Sequence, residues 1–213
     1  MRLRMPCLRP SPRQWPLVAV AWSGLVGLGF LFLLEYGNEP GGDAHAPRRW
    51  PRESSLRENP DRPQLLLFAH PRCPCTRASV EELNRLLASA STAPDTVVSF
   101  LLAEDAPPGW ERTDLWDSAA RIPGVRVVAD PGGREAALFG ASTSGRVLLY
   151  SAAGELLFEG GLTASRGHAG DSAGRAALLD LLRGERPTTR ETPTFGCALR
   201  ASQGAARSSC PSP

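Results

Sequence analysis

The sequence has no lysine and no run of basic residues interleaved with aromatic ones. Its 24 basic residues are all arginine, 22 acidic residues oppose them, and the net charge is only +2. A protein that binds nucleic acid needs concentrated positive charge to neutralise phosphates. This pattern lacks that footprint, so we expect no nucleic acid partner. The sequence also contains no P-loop pattern and no internal repeat.

Cysteine is scarce and unevenly spaced. The five cysteines are Cys7, Cys73, Cys75, Cys197 and Cys210, too few for the disulfide framework that staples small secreted scaffolds. An odd number also leaves at least one thiol unpaired. With 213 residues, of which 42% are hydrophobic, the chain is long enough for one folded domain and its own core.

Charge is absent from residues 16–34, a stretch of 19 residues. As a helix it would be about 29 Å long, close to the thickness of the bilayer core. Four arginines and no acidic residue precede it, whereas acidic residues follow it before any arginine. The positive-inside rule therefore predicts a cytoplasmic segment at 1–15, a transmembrane anchor at 16–34 and an exported remainder.

A cleaved signal peptide is the competing interpretation, because Ala44-His45-Ala46 has the small-x-small form of a cleavage site. The apolar stretch is longer than the roughly 7 to 15 residues of a signal h-region, and the candidate site follows it at a distance. We therefore favour a single-pass anchor in the inner (cytoplasmic) membrane. Both interpretations export the domain to the periplasm or the outside of the cell.

The remainder divides into three parts. Residues 35–63 are rich in Pro, Gly, Arg and Glu without apolar periodicity, which predicts a flexible linker. Residues 64–184 contain the apolar pattern of a folded domain. Residues 185–213 are expected to be a C-terminal extension that is partly disordered.

The folded part alternates short apolar runs with helical patterns. Buried strands are predicted at 64–69, 96–103, 125–129, 146–150 and 155–159, the last two forming a hairpin, and helices at 76–90, 110–121 and 173–183. The order is strand, helix, strand, helix, short strand, hairpin, helix. We expect one mixed sheet with helices on both faces.

Two cysteines, Cys73 and Cys75, flank Pro74 where the first strand runs into the first helix. A thiolate is the reactive form of cysteine, and the free N–H groups at a helix N-terminus stabilise negative charge. Arg72 and Arg77 add positive charge nearby. We therefore expect Cys73 to have the lower pKa and to attack, and Cys75 to resolve the mixed disulfide.

The segment HPRCPCTR at 70–77, together with the element order, resembles the thioredoxin-like oxidoreductases. Their usual motif is C-x-x-C, one residue longer, and the C-P-C form is similar to membrane-anchored bacterial members labelled RedB-like. The resemblance implies an α/β, thioredoxin-like mixed sheet after the transmembrane helix, a redox-active disulfide, a protein thiol or disulfide as partner and no required cofactor. It places supporting residues around the cysteines: His70, Arg72, Pro74, Arg77, Thr143 and Ser144.

One departure from the resemblance lies before the hairpin. Thioredoxin-like enzymes usually carry a cis-proline there, but this chain has Ala141-Ser142-Thr143-Ser144-Gly145. Thr143 and Ser144 can hydrogen-bond a thiolate or a substrate if this loop faces the cysteines, and the alternative is a surface turn.

A structural bridge is the alternative role for the Cys73 and Cys75 pair. A disulfide across one residue closes a very small loop, which gains little from chain entropy and is prone to strain. Such a bond is easily reduced, which favours thiol exchange.

A copper or zinc carrier is the alternative function. Cys73, Cys75, His70 and His168 offer soft sulfur and nitrogen ligands that suit Cu(I) or Zn(II). Copper-delivery relatives of thioredoxin place two cysteines at this junction, although with a C-x-x-x-C spacing. Peroxidase chemistry is disfavoured, since the residues before Cys73 do not match the P-x-x-x-[TS]-x-x-C pattern. Cys197 is either a third redox thiol or a lone cysteine, and its sequence context leaves both open.

Overall fold

The computed structural model describes residues 14–199, so Cys7 and Cys210 lie outside the described residues. The chain forms two compact units that divide after Glu39. The first contains helix α1 (Trp15–Asn38). The second contains, in order, β1 (Gln64–Ala69), α2 (Pro74–Ser89), β2 (Asp95–Leu102), α3 (Asp114–Ala120), β3 (Val125–Pro131), α4 (Arg134–Leu138), β4 (Arg146–Tyr150), β5 (Leu156–Gly161) and α5 (Ala173–Leu182).

Helix α1 is 24 residues long, or about 36 Å. Its large apolar side chains are exposed, for example Leu17, Leu25 and Phe32, and by length and composition it can cross a membrane once. It begins one residue before and ends four residues after the predicted 16–34 segment, because the polar residues that follow still continue the helical backbone.

The five strands form one mixed sheet in the order β3-β2-β1-β4-β5. Strands β1, β2 and β3 run parallel, while β4 is antiparallel to β1 and β5 is antiparallel to β4. Parallel neighbours need crossover connections, which α2 and α3 supply, and the hairpin needs only a short turn. The predicted mixed sheet and the predicted sequence of strands along the chain are confirmed, with strand boundaries shifted by one or two residues. Helix α4 was not predicted, and α3 is shorter than the predicted 110–121.

Strand β1 is buried along its whole length and divides the core into two layers. Because side chains alternate across a strand, Leu65 and Leu67 pack with α2, α3 and α5 on one face. Leu66 and Phe68 pack on the other face with α4 and with residues that precede the sheet. Helices therefore cover both faces, as predicted, but a single short helix serves the second face.

The expectation of a flexible linker at 35–63 is wrong for residues 40–63. Ala46 and Leu56 are buried in the second core layer. The ring of Trp50 packs edge-on against Phe139, at 5.0 Å between centroids, and against Tyr150 at 5.2 Å. The segment covers the sheet face that α4 leaves open. Its few apolar residues have no period of two or 3.6, so no local pattern predicts their burial.

The predicted C-terminal extension is also ordered up to Leu199. Phe195 and Leu199 are buried against the domain, and residue 191 forms a bridge with β5. Residues 200–213 lie outside the described part of the chain.

Candidate functional site

The cysteine pair lies where β1 ends and α2 begins, as predicted. Cys73 is the N-cap of α2, in an extended conformation with φ −86° and ψ 116°, and Pro74 occupies the first helical turn. Proline suits that position, because its fixed φ is helical and its missing N–H would have no helical acceptor. Cys73 is buried, with 1% of its surface exposed, and Cys75 is partly exposed.

A third thiol, that of Cys197, lies directly against the pair. Its Sγ is 2.9 Å from the Sγ of Cys73, compared with about 2.05 Å in a disulfide bond. The backbone N–H of Cys197 also donates to the Cys73 sulfur, at 3.4 Å. The sequence left the role of Cys197 open. The burial of Phe195, two residues earlier, anchors the segment that brings it here.

The three thiols differ in how readily they ionise. Burial acts to raise the pKa of Cys73, but hydrogen bonds from the thiol and backbone of Cys197 and from the hydroxyl and backbone of Thr76 together lower it below its usual value. Burial and then the charge of Cys73 raise the pKa of Cys75. Burial and the hydrogen bond to Cys73 raise the pKa of Cys197 to about 12. Cys73 is therefore the thiol that ionises first, in the order the sequence predicts.

The arginines expected to favour the Cys73 thiolate are engaged elsewhere. The guanidinium of Arg72 lies 5.1 Å from the centre of the Trp110 ring. Arg77 forms an ion pair with Asp114 on α3. Arg166 is the arginine beside the thiols, where its charge acts to lower the pKa of Cys75 and of Cys197. No local pattern indicated Arg166, because it lies in a loop almost a hundred residues after the cysteine motif.

The polar loop before β4 lies next to the cysteine pair. The Oγ of Ser144 accepts a hydrogen bond from the backbone N–H of His70, at 2.8 Å, and lies 2.6 Å from the Oγ1 of Thr76. The N–H of Gly145 donates to the carbonyl of Phe68 at the end of β1. Ser144 is fully buried. Ser144 thus contacts Thr76, whose side chain hydrogen-bonds the sulfur of Cys73.

Thr143 contacts the segment that precedes the sheet, through both its side chain and its backbone. Its side chain packs so closely on Gly41 that a Cβ there would lie 2.1 Å from the threonine Oγ1. Its backbone N–H and that of Ser142 donate to the Oδ1 of Asp43, both at 2.8 Å. The loop conformation that a cis-proline usually sets is held here by an aspartate from the segment before the sheet, and the peptide bonds of residues 14–199 are all trans.

The proposed metal ligands do not converge. His70 accepts a hydrogen bond from the N–H of Arg72 at its Nδ1 and packs edge-on against Trp110, and burial lowers its pKa. His168 is exposed. Within residues 14–199, the one group of three potential ligand atoms lying within 4.8 Å of one another comes from His45, Glu159 and Glu191. The site offers clustered sulfur instead of a mixed sulfur and nitrogen set.

No protein-family model matches the chain, and no curated protein matches it in sequence. Solved structures do resemble it. An uncharacterised conserved protein from Geobacillus kaustophilus aligns with a TM-score of 0.55 and 19% identity, over 79% of this chain and 95% of that one. The hypothetical protein SMc02350 from Sinorhizobium meliloti aligns at 0.51 and 21%, over 79% and 96%. A secreted Mycobacterium tuberculosis disulfide oxidoreductase homologous to E. coli DsbE aligns at 0.41 and 17%, over 58% and 82%. At such identities the likeness concerns the fold alone, a mixed five-stranded sheet with helices on its faces.

Proposed function

We propose that this protein is an exported, membrane-anchored thiol–disulfide oxidoreductase of the RedB-like kind. Cys73 is its attacking thiol, and the sequence predicts Cys75 as the other member of its redox pair. One observation carries the proposal: the buried sulfur of Cys73 at the N-cap of α2 has a lowered pKa and lies 2.9 Å from the sulfur of a second thiol, that of Cys197. A structural cysteine does not need a lowered pKa, whereas thiol exchange proceeds through the thiolate, and a neighbouring thiol can then resolve the mixed disulfide.

The reaction follows from these two features. The Cys73 thiolate attacks one sulfur of a substrate disulfide, a mixed disulfide forms, and the other substrate sulfur leaves as a thiolate that takes up a proton. A second protein thiol then loses its proton and attacks the Cys73 sulfur, which releases the rest of the substrate as a thiol. The substrate gains two electrons and two protons, and the protein retains a disulfide. The reverse sequence oxidises a dithiol, and the potential of the partner decides the direction.

The location is inferred from the N-terminal unit. Helix α1 has the length and composition of a membrane span, and by the positive-inside rule the arginines that precede it favour a thiol domain outside the cytoplasm. Protein disulfides persist in that compartment. The expected partner is therefore an exported protein that carries a reducible disulfide or an oxidisable dithiol.

Reduction of insulin by dithiothreitol in the presence of the detergent-purified full chain tests the proposal. The wild type should accelerate the reaction, and Cys73→Ser should abolish that acceleration. Cys210→Ser, which removes a thiol remote in sequence from the motif, is the matched control and should retain it. If Cys73→Ser is as active as the wild type, the proposal is wrong. Stoichiometric copper or zinc on the purified protein, without reductase activity, would favour the metal carrier instead.

A further inference from the structure

The C-terminal segment 193–199 crosses the redox site and pairs through its backbone with the loop before β4. The N–H of Ser144 donates to the carbonyl of Cys197 at 2.8 Å, and the N–H of Leu199 donates to the carbonyl of Ser142 at 2.7 Å. Thr143 and Ala198 form the antiparallel bridge between these two bonds. Backbone pairing of this kind fixes register, because a shift by one residue would turn each side chain to the opposite face. The pairing therefore fixes which side chain faces the cysteine pair.

The contacts of Gly196 also keep segment 193–199 in this register against the loop before β4. A Cβ at this position would lie 1.8 Å from the carbonyl oxygen of Ser144, so only glycine allows the two backbones to approach this closely. The guanidinium of Arg166 donates to the Gly196 carbonyl from the other side. Phe195 is buried beside it. Together these contacts hold the sulfur of Cys197 next to that of Cys73, at 2.9 Å.

We propose that Cys197 is the thiol that resolves the mixed disulfide on Cys73, so that the first intramolecular product is a bond between Cys73 and Cys197. The inference rests on the proposed function and deepens it. After Cys73 has bonded to one substrate sulfur, Cys197 loses a proton and its sulfur attacks that of Cys73. The bond between Cys73 and the substrate breaks, and the substrate sulfur leaves and takes up a proton.

Geometry favours Cys197 over Cys75 in this role. The thiol of Cys75 also interacts with that of Cys73, since a hydrogen bond between the two side chains is among the causes that raise the pKa of Cys75, but only Pro74 separates the two residues in the chain. A bond between them would therefore close a very small and strained loop. Cys197 approaches from a separate segment of the chain with its sulfur 2.9 Å away, so the bond requires only a small movement.

The charges in the site also favour the attack of Cys197 once Cys73 has bonded to the substrate. In the reduced protein, the hydrogen bond to Cys73 and its charge help to raise the pKa of Cys197, after burial. Once Cys73 is bonded to substrate it carries no negative charge, and these contributions end. The positive charge of Arg166, which acts to lower the pKa of Cys197, stays in place. Cys197 therefore ionises more readily after the attack than before it.

The same segment limits access to the attacking thiol. Cys73 is only 1% exposed, and the backbone and sulfur of Cys197 both contact its Sγ. An incoming disulfide must displace segment 193–199 to reach Cys73. The return of the segment then brings the resolving thiol onto the mixed disulfide.

Disulfide mapping of the reduced full chain tests the proposal. The protein is treated with glutathione disulfide as the oxidant, quenched over time, and digested with trypsin without reduction. Cleavage at the arginines gives the peptide CPCTR, residues 73–77, and the peptide ETPTFGCALR, residues 191–200. The proposal expects these two peptides to be cross-linked in the wild type and in Cys75→Ser. In Cys197→Ser, a glutathione adduct on Cys73 should persist about ten times longer than in the wild type.

Two other outcomes are distinguishable. If the bond forms within CPCTR, and the adduct persists in Cys75→Ser but not in Cys197→Ser, Cys75 is the resolving thiol and this inference is wrong, while the proposed function stands. If Cys73 forms neither an adduct nor a disulfide in any variant, both fail.

A second variant tests the segment without altering a thiol. Gly196→Ala should displace the segment, since its Cβ collides with Ser144, so labelling of Cys73 by iodoacetamide should rise about tenfold and the cross-link to Cys197 should decline. Gly42→Ala is the matched control, because a Cβ there meets nothing within 4 Å. Unchanged labelling in Gly196→Ala would overturn the proposed placement of the segment.

Discussion

The hydroxyl of Ser144 lies 2.6 Å from the hydroxyl of Thr76, which connects the loop before β4 to the first turn of α2. A hydroxyl group has one proton to donate. If Thr76 donates that proton to the Cys73 sulfur, its oxygen must accept from Ser144, and the Ser144 oxygen accepts in turn from the N–H of His70. These hydrogen bonds then run in one direction, from the N–H of His70 through the hydroxyls of Ser144 and Thr76 to the sulfur of Cys73. Ser144 is accordingly a positioning residue.

Thr76→Val should raise the pKa of Cys73, because valine keeps the shape of the side chain and removes the donor. A hydrogen bond to a charged group contributes roughly 1.5–3 kcal/mol, so alkylation of Cys73 at pH 7 should slow by about tenfold. Thr76→Ser, which restores the hydroxyl, should recover most of the rate. The measurement is the rate of iodoacetamide labelling as a function of pH. Equal profiles for the valine variant and the wild type would exclude Thr76 from thiolate stabilisation.

The pH profiles of the three thiols should differ in a defined order. A thiolate forms above the pKa, so a lowered pKa moves the reactive range to lower pH and a raised one moves it to higher pH. Cys73 should therefore have the lowest midpoint, with Cys75 and Cys197 above it. Cys73 is buried, so its absolute labelling rate reflects access to the thiol as well as its charge. The quantity to compare is therefore the pH midpoint of labelling of each thiol, measured by fragment-ion mass spectrometry of the labelled peptides. A lower midpoint for Cys75 would reverse the assignment of the attacking thiol.

Trp50→Ala should destabilise the domain by about 3 kcal/mol, the lower end of the range for removal of a buried large aromatic side chain, since Trp50 is only partly buried. Its ring contacts Phe139 and Tyr150 in the second core layer. Arg49→Ala is the neighbouring control, because this side chain is 83% exposed and its ion pair with Glu155 spans 3.9 Å, a surface pair of small net effect. Urea unfolding of both variants measures the difference. Similar stabilities would show that residues 40–63 do not support the fold.

A reporter that is active only outside the cytoplasm should function when it is fused after Pro213, and a cytoplasmic reporter should not. The physical reason is the arginine asymmetry across the apolar stretch. Substitution of Arg2, Arg4, Arg9 and Arg13 by glutamine should weaken the orientation, whereas the same change at arginines after Gly184 should not. The opposite reporter pattern would place the thiols in a reducing compartment and remove a premise of the proposed function.

The parts of the fold that could be predicted are those encoded by a pattern of neighbouring residues in the sequence. The apolar run at Gln64–Ala69 fills a strand that is buried on both faces, so its sequence is continuous instead of alternating. The amphipathic spacing of Val80, Leu83 and Leu86 determines the buried face of α2. Helix α4 is only five residues long, too short for a periodic pattern, and it forms because the carboxylate of Asp130 accepts from the free N–H groups of its first turn.

The sequence by itself determined the apolar span, the succession of strands and helices along the chain and the position of Cys73 at a helix N-terminus, because each depends on residues close together in the chain. Only the tertiary structure decided which groups surround that sulfur. Cys197 is 124 residues away in sequence, and Ser144 is held in place by His70, directly after β1, and by Thr76 in the first turn of α2. Arg72 and Arg77 are close to the cysteine pair in sequence, but Arg72 packs on Trp110 and Arg77 forms an ion pair with Asp114. Contacts at such separations depend on how the sheet and its covering segments pack, and no local pattern encodes them.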